Sequence, residues 1–323
     1  MKFVAAALMV AMAGGPYAAI QPQALAQQEP APVERQLPQM PGLRVESRLV
    51  PVAVNVVDEH GSPVAGLTQE DFEVFEDNKA QKTAVFDKEA TTPLQIVLAL
   101  DSSESVAIDD HLEHEAAKTF VKTLLRAQDR LDLMYFSDNV DEVVGFTNDV
   151  KRIESGLGNV PHGDATALYD AIYLASQRMV AVPLAGARRV VVVITDGENT
   201  THHGSYDAAL EQAERAGAMI YSLIIVPVEA DAGRNTGGEH ALIQMANDTG
   251  GKYYYVSKKQ DLAPAFAHVS DDLRTQYTVG YYAPQRGVDP SGLRHIRLQL
   301  KDPEKRAKYE LRYRTAYYGN SRF

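Results

Sequence analysis

Two kinds of hydrophobic pattern divide this chain. Between Leu94 and Thr275, short continuous apolar runs alternate with segments whose apolar residues recur at helical spacing. Ile96-Val97-Leu98-Ala99-Leu100, Val190–Ile194 and Met219–Val226 are rich in β-branched residues, as strands buried on both faces are. Beyond the first run, Leu112, Ala116, Phe120, Val121 and Leu124 fall on one face of a helix. Further helices are predicted over Ala167–Met179, Tyr206–Ala216, Glu239–Asn247 and Leu262–Arg274. Further strands are predicted over Leu131–Phe136, Val143–Phe146 and Lys252–Val256. Such alternation predicts an α/β fold, a mostly parallel sheet with helices on both faces.

The flanks carry a different pattern. Leu49–Val57 alternates apolar and other residues like a half-buried strand, and Asp58–Pro63 is a turn cluster. Phe72–Glu76 and Thr83–Phe86 read as two strands joined by a turn at Asp77-Asn78-Lys79. After Thr275 come Tyr277–Tyr282, His295–Leu300 and Tyr309–Tyr313, with Pro284–Gly292 as a connecting loop. A few strands on either side cannot bury both of their faces alone. Residues 49–90 and 276–318 are therefore expected to combine into one smaller, β-sandwich-like domain, with 91–275 inserted between them. The tyrosine runs Tyr253–Tyr255 and Tyr281-Tyr282 read as sheet packing.

The first residues have a third character. Lys2 precedes the apolar Phe3–Ala13, Gly14-Gly15-Pro16 breaks the run, and Ala24-Leu25-Ala26 fits a small-x-small cleavage site. Residues 1–26 are expected to be a signal peptide cut after Ala26, which predicts a secreted or periplasmic protein. The Gln- and Pro-rich stretch to residue 48 suits a disordered linker. No other run approaches the ~18 apolar residues of a membrane span. The chain of 323 residues has no cysteine, which removes disulfides, thiol catalysis and sulfur-bound zinc. Its formal charge of −11 argues against a nucleic-acid partner, since phosphate contacts need a basic face.

Candidate chemistry gathers at strand ends, where ligands bind in open α/β sheets. The first buried run stops at Asp101-Ser102-Ser103-Glu104-Ser105, and the second at Thr195-Asp196-Gly197. A loop, Gly163–Ala167, carries Thr166 into a helix. Hydroxyl and carboxylate oxygens are what hard divalent cations prefer. Helix capping explains isolated hydroxyls, but not carboxylates on two strand ends facing the same edge.

Asp101-x-Ser103-x-Ser105, then Thr166, then Asp196 in a Thr-Asp-Gly turn, resembles the von Willebrand factor type A (VWA) domain with its metal-ion-dependent adhesion site. The resemblance covers residues 91–275 and implies the Rossmann-like version of the fold. Val52–Val57, Gly66-Leu67-x-x-x-Asp71-Phe72-x-Val74-x-Glu76-Asp77 and Gly280-Tyr281-Tyr282 resemble a bacterial subgroup of secreted proteins with such domains, first noticed in Acidobacteria. By resemblance, Ser103, Ser105 and Thr166 hold Mg²⁺ (or Mn²⁺ or Ca²⁺) through hydroxyls, with Asp101 and Asp196 close by or bonding through water. An acidic group of a protein or cell-envelope partner then completes the shell, which is adhesion by metal-dependent protein binding. The chain departs from the commoner pattern at Glu104 and Asp164, where glycine is frequent. These two, with Glu198, His202 and His203, form an expected partner-binding rim.

Enzyme signatures are absent: no His-Glu-x-x-His, Gly-x-Ser-x-Gly or phosphate-binding Gly-x-x-x-x-Gly-Lys. The chain is therefore expected not to be an enzyme. A magnesium phosphohydrolase is the alternative, because some of those also begin at a strand-end Asp; they generally carry a second acid where this chain has Ser103. A structural envelope module with an idle metal site is a third reading. His111 and His114, one helical turn apart, are two ligands where zinc usually takes three or four, so they read as a solvated helix face.

Overall fold

The computed structural model describes residues 48–88, 92–103, 110–226, 236–284 and 292–319, with the side chains of 110–113 and 259 excepted. The first flank supplies β1 (Arg48–Val57), β2 (Phe72–Glu76), β3 (Lys79–Gln81) and β4 (Thr83–Asp87). The middle runs β5 (Leu94–Asp101), α1 (Asp110–Leu124), β6 (Arg130–Phe136), β7 (Val140–Thr147), α2 (Val150–Leu157) and α3 (Leu168–Ala181). It continues with β8 (Arg188–Thr195), α4 (Tyr206–Ala216), β9 (Ala218–Ile225), α5 (Thr236–Thr249), β10 (Lys252–Val256) and α6 (Leu262–Thr275). The second flank adds β11 (Tyr277–Ala283), β12 (Leu293–Leu300), α7 (Pro303–Lys308), β13 (Glu310–Tyr313) and β14 (Ala316–Tyr318).

The central sheet has the order β10-β9-β8-β5-β6-β7 and is parallel except for β7, which pairs antiparallel to β6. Every residue of β5 and β8 is buried, which is why both read as unbroken apolar runs. Side chains alternate between faces. Leu94, Ile96, Leu98 and Leu100 meet α1, α2 and α6, where Phe120 stacks on Phe266 at 4.5 Å. Val97 and Ala99 meet the small-residue faces of α3, α4 and α5. Helix ends follow local chemistry: the Ser205 hydroxyl accepts the Ala208 amide ahead of α4, and Gly217, at φ 64, ends it in the left-handed conformation.

The flanks form two four-stranded antiparallel sheets, β13-β1-β11-β4 and β14-β12-β2-β3, and each sheet draws strands from both ends of the described chain. Val50, Val52 and Val54 of β1 and Val279 and Tyr281 of β11 face Phe72, Val74, Ile296 and Leu298 across the sandwich. The fold is thus a Rossmann-like α/β unit inserted in a β-sandwich, as the patterning predicts. All described residues belong to one compact unit.

Three details differ from the expectations. Asp77 and Asn78, at φ 45 and 63, do make a tight turn. It joins β2 to the short β3, however, while β4 crosses to the other sheet and pairs with β11. Tyr281 is fully buried, but Tyr255 and Tyr282 are 43% and 53% exposed, so packing explains only part of the tyrosine runs. His114 is half-buried and shares a hydrogen bond of 3.3 Å with the Tyr135 hydroxyl, so it is not a solvated residue; the side chain of His111 lies outside the described ones.

Candidate metal centre

The carboxyl ends of β5 and β8 lie side by side because the two strands pair in register, Leu100 opposite Ile194. Asp101 ends β5 and is buried, as are Ser102 and Ser103 after it. The Asp101 carboxylate is held on both oxygens. Oδ1 accepts the Ser103 hydroxyl at 2.6 Å and the Ser103 amide at 3.0 Å, and Oδ2 accepts the Thr195 hydroxyl at 2.6 Å. Burial pushes its pKa up to about 6; the hydrogen bonds from Ser103 and Thr195 oppose that, and the charge of Asp196 adds to it. No basic side chain is among these main influences.

Asp196 begins the turn after β8, where Oδ1 accepts the Glu198 amide at 3.1 Å. Gly197 takes φ 89, and a side chain there would press on the backbone of Gly238 and Glu239 at the start of α5. The third loop joins the other two through its backbone. Ser103 and Gly163 form a parallel bridge. The Thr166 carbonyl accepts the amides of Thr200 and Thr201, and the Thr166 amide donates to the Thr200 hydroxyl at 2.8 Å. Thr166 is buried, and no described group hydrogen-bonds its hydroxyl.

The structure therefore brings Asp101, Ser103, Thr166 and Asp196 onto three linked loops at one sheet edge. Ser105 and Glu104 lie outside the described residues. Asp164 is exposed, Glu198 half-buried, and His202 and His203 are exposed on the loop leading to α4.

Several supporting groups escaped the sequence reading. Thr195 orients Asp101. Asp138, in the Ser137-Asp138-Asn139 turn after β6, accepts the amides of Ala165 at 2.9 Å and Asp164 at 3.3 Å. A Cβ on Gly163 would run into Asp138 Oδ2 and the Ser137 hydroxyl, so only glycine lets the loop pass there. Asn199 Oδ1 accepts the Tyr169 amide at 3.1 Å, capping α3, whose own N-cap residue Ala167 has no side-chain acceptor. Polar residues just after Thr-Asp-Gly are the one sequence signal that points to Asn199 and Thr200.

The donor chemistry decides what fits. Among the described residues no three His, Asp or Glu side chains converge. The oxygens on offer are instead two carboxylates that repel each other and hydroxyls beside them. Such a set suits a hard cation held mainly by hydroxyls, and the open Thr166 hydroxyl and the Asp101–Asp196 repulsion fit that group. A bound cation supplies positive charge and a coordination position that an oxygen from another molecule completes.

The match to a known domain family agrees with this geometry. The sequence model described as the von Willebrand factor type A domain matches residues 95–268, just over half of the chain. Comparison with the curated proteins gives no match. Similar solved structures include an aerotolerance-related membrane protein from Bacteroides fragilis, at 24% identity and TM-score 0.44, covering 56% of this chain and 98% of that one. Another is a von Willebrand factor type A protein from Catenulispora acidiphila, at 11% identity and TM-score 0.49, covering 83% and 73%. A third is proximal thread matrix protein 1 from the mussel byssus, with zinc in its MIDAS motif, at 17% identity and TM-score 0.49, covering 62% and 50%. Membership supports a divalent-metal site and metal-dependent protein–protein interaction in general. The match of the domain model, set on a parallel sheet with oxygen donors at its carboxyl edge, makes this chain a member of the von Willebrand factor type A domain family.

Proposed function

We propose that this is a secreted or periplasmic adhesion module, of the secreted bacterial type that its flanking motifs resemble. It binds a protein or cell-envelope ligand through Mg²⁺ held by Ser103, Ser105 and Thr166, with Asp101 and Asp196 beside the ion. It carries no catalytic machinery of its own. The observation that carries the reading is the Asp101 carboxylate, buried and fixed by the Ser103 and Thr195 hydroxyls next to Asp196, with an open Thr166 hydroxyl on the adjoining loop. An acidic pair without a basic partner is stabilised by a cation. Hydroxyl ligands leave that cation incompletely neutralised, so an acidic or neutral oxygen of the partner binds it.

Calorimetric titration of the purified chain with Mg²⁺ or Mn²⁺ tests this. One binding site is expected, lost in both Asp101→Ala and Asp196→Ala, and ligand capture should be lost on chelation. Unchanged metal binding in both variants would overturn the assignment.

A further inference from the structure

The turn between β6 and β7 supplies none of the proposed metal ligands, yet it holds two of the loops that carry them. Phe136 ends β6 and pairs with Asp101 at the end of β5. Its carbonyl accepts the Ser102 amide at 2.9 Å and the Ser102 hydroxyl at 3.3 Å, immediately before Ser103. One residue on, the Ser137 carbonyl accepts the Ala167 amide at 2.8 Å. Asp138 follows, and takes the Ala165 amide on Oδ1 at 2.9 Å and the Asp164 amide on Oδ2 at 3.3 Å. The remaining amide of that stretch, from Thr166, donates to the Thr200 hydroxyl at 2.8 Å. Four consecutive amides, Asp164 to Ala167, are thus all anchored, three of them on Ser137 and Asp138.

Ser103 and Thr166 lie on the two loops that this turn ties together, so the turn sets the spacing of their hydroxyls. As a carboxylate accepting two amides, Asp138 makes charge-assisted hydrogen bonds, about twice as strong as neutral ones. Mg²⁺ takes oxygens at about 2.0–2.1 Å in a near-ideal octahedron, whereas Ca²⁺ takes six to eight at about 2.3–2.6 Å in a flexible shell. Exchanging the first ion for the second moves each oxygen outward by about 0.2–0.6 Å. A loosely held loop gives way by that much; a loop with every amide anchored resists it.

We propose that Asp138 is a specificity-determining residue of the metal centre, which makes it take Mg²⁺ in preference to Ca²⁺ by fixing the Thr166 loop relative to Ser103. The inference rests on the metal reading of the site and adds the residue that sets its choice of ion. Asp138 acts through Thr166, so it is a positioning residue. Its charge also attracts cations, but two ions of the same charge are attracted alike. The ratio of the two affinities therefore reports spacing, with the effect of charge removed.

Calorimetry of the full chain measures Mg²⁺ and Ca²⁺ affinity separately in wild type, Asp138→Ala and Asp138→Asn, with circular dichroism and urea unfolding as checks on folding. Both variants lose the same charge, and only Asp138→Asn keeps an oxygen for one of the two amides. Wild type is expected to prefer Mg²⁺. Asp138→Ala should lose about tenfold or more in Mg²⁺ affinity but about threefold or less in Ca²⁺ affinity, with Asp138→Asn in between. A ratio that stays at its wild-type value in folded Asp138→Ala would overturn the proposal, as would a wild type without preference for Mg²⁺. Wild type that binds neither ion would overturn the metal reading itself, and the inference with it.

Discussion

Asp132 offers the sharpest test of the core's electrostatics. It sits on β6 with no exposed side-chain surface, on the sheet face that meets α3, and neither carboxylate oxygen has a hydrogen-bond partner. The nearest cation, Arg178, approaches only to 3.8 Å and is committed to Glu142, with Nε 2.8 Å from Oε2 and Nη2 donating to Oε1 at 2.8 Å. Burial is the main cause that pushes the Asp132 pKa from 3.8 to about 8. Glu142 adds to the rise, while Arg178 and a loose approach of the Phe146 amide oppose it. The folded state therefore holds a proton that the unfolded chain releases near pH 4. Stability must fall as pH rises from about 4 to about 8 and then level off, by about 1.4 kcal/mol per pH unit and on the order of 5 kcal/mol in all.

Asp132→Asn removes this titration at nearly constant volume. Urea unfolding across pH 4 to 9, in chelator and at fixed ionic strength, gives the assay. Asp101 and Glu214, with pKa values raised to about 6 and about 7, titrate in the same window. Wild type alone is therefore ambiguous, whereas the difference between variant and wild type cancels them. The variant should match wild type near pH 4 and exceed it by several kcal/mol at pH 8. A flat difference, or an advantage that shrinks as pH rises, would refute the reasoning by showing that Asp132 finds a partner when ionised.

Thr195→Val removes the hydrogen bond to Asp101 Oδ2 at little cost in volume; metal affinity should drop by about 10- to 100-fold with the fold intact, by calorimetry and circular dichroism. Gly163→Ala should have a similar effect by forcing the loop away from Asp138 and Ser137, and unchanged affinity would show that the loop yields freely. Glu76, fully buried, accepts the hydroxyls of Tyr281 at 2.9 Å and Tyr317 at 2.6 Å and pairs with Arg294 at 3.0 Å, so Glu76→Ala should cost about 3 to 5 kcal/mol in chemical unfolding.

The parts of this molecule that were legible in its sequence are those written as period or as strand-end chemistry. β5, β8 and β9 announce themselves because both faces are buried, and α4 appears at the predicted Tyr206–Ala216. Helix α2 was missed: eight residues with Ile153, Gly156 and Leu157 buried are too few to show a period. The destination of β4 was missed because a hairpin signal at Asp77-Asn78 does not say which strand follows it. Asp101, Thr166 and Asp196 could be named from a motif, but Thr195, Asp138 and Asn199 act across loops that only folding brings together. The ties of Arg188 to Gln276 and of Arg274 to Asp129 had no sequence signal either, since each joins residues far apart in the chain.

Chain direction explains why acids collect at one edge of the sheet and arginines at the other. In a parallel sheet every strand's carboxyl end points one way, and the crossover helices run back, so their carbonyl ends gather at the strands' amino ends. Each such end carries partial negative charge. Three of them receive an arginine: Arg274 donates to the Leu124 carbonyl at the end of α1, Arg189 to Ala216 at the end of α4, and Arg188 to Leu273 near the end of α6. The same edge carries the two crossings between the inserted domain and the sandwich, which an insertion needs close together. The Arg188 amide donates to the Pro93 carbonyl at 2.9 Å at the entry, and its side chain holds Gln276 at the exit. Asp129 repeats the tie, accepting the Leu94 amide at 2.8 Å while pairing with Arg274. Acids placed at this edge would face three helix carbonyl ends, and arginines placed at the other would repel the cation proposed there. The polarity of the sheet thus assigns cation chemistry to its carboxyl edge and leaves its amino edge to the arginines that hold the two domains together.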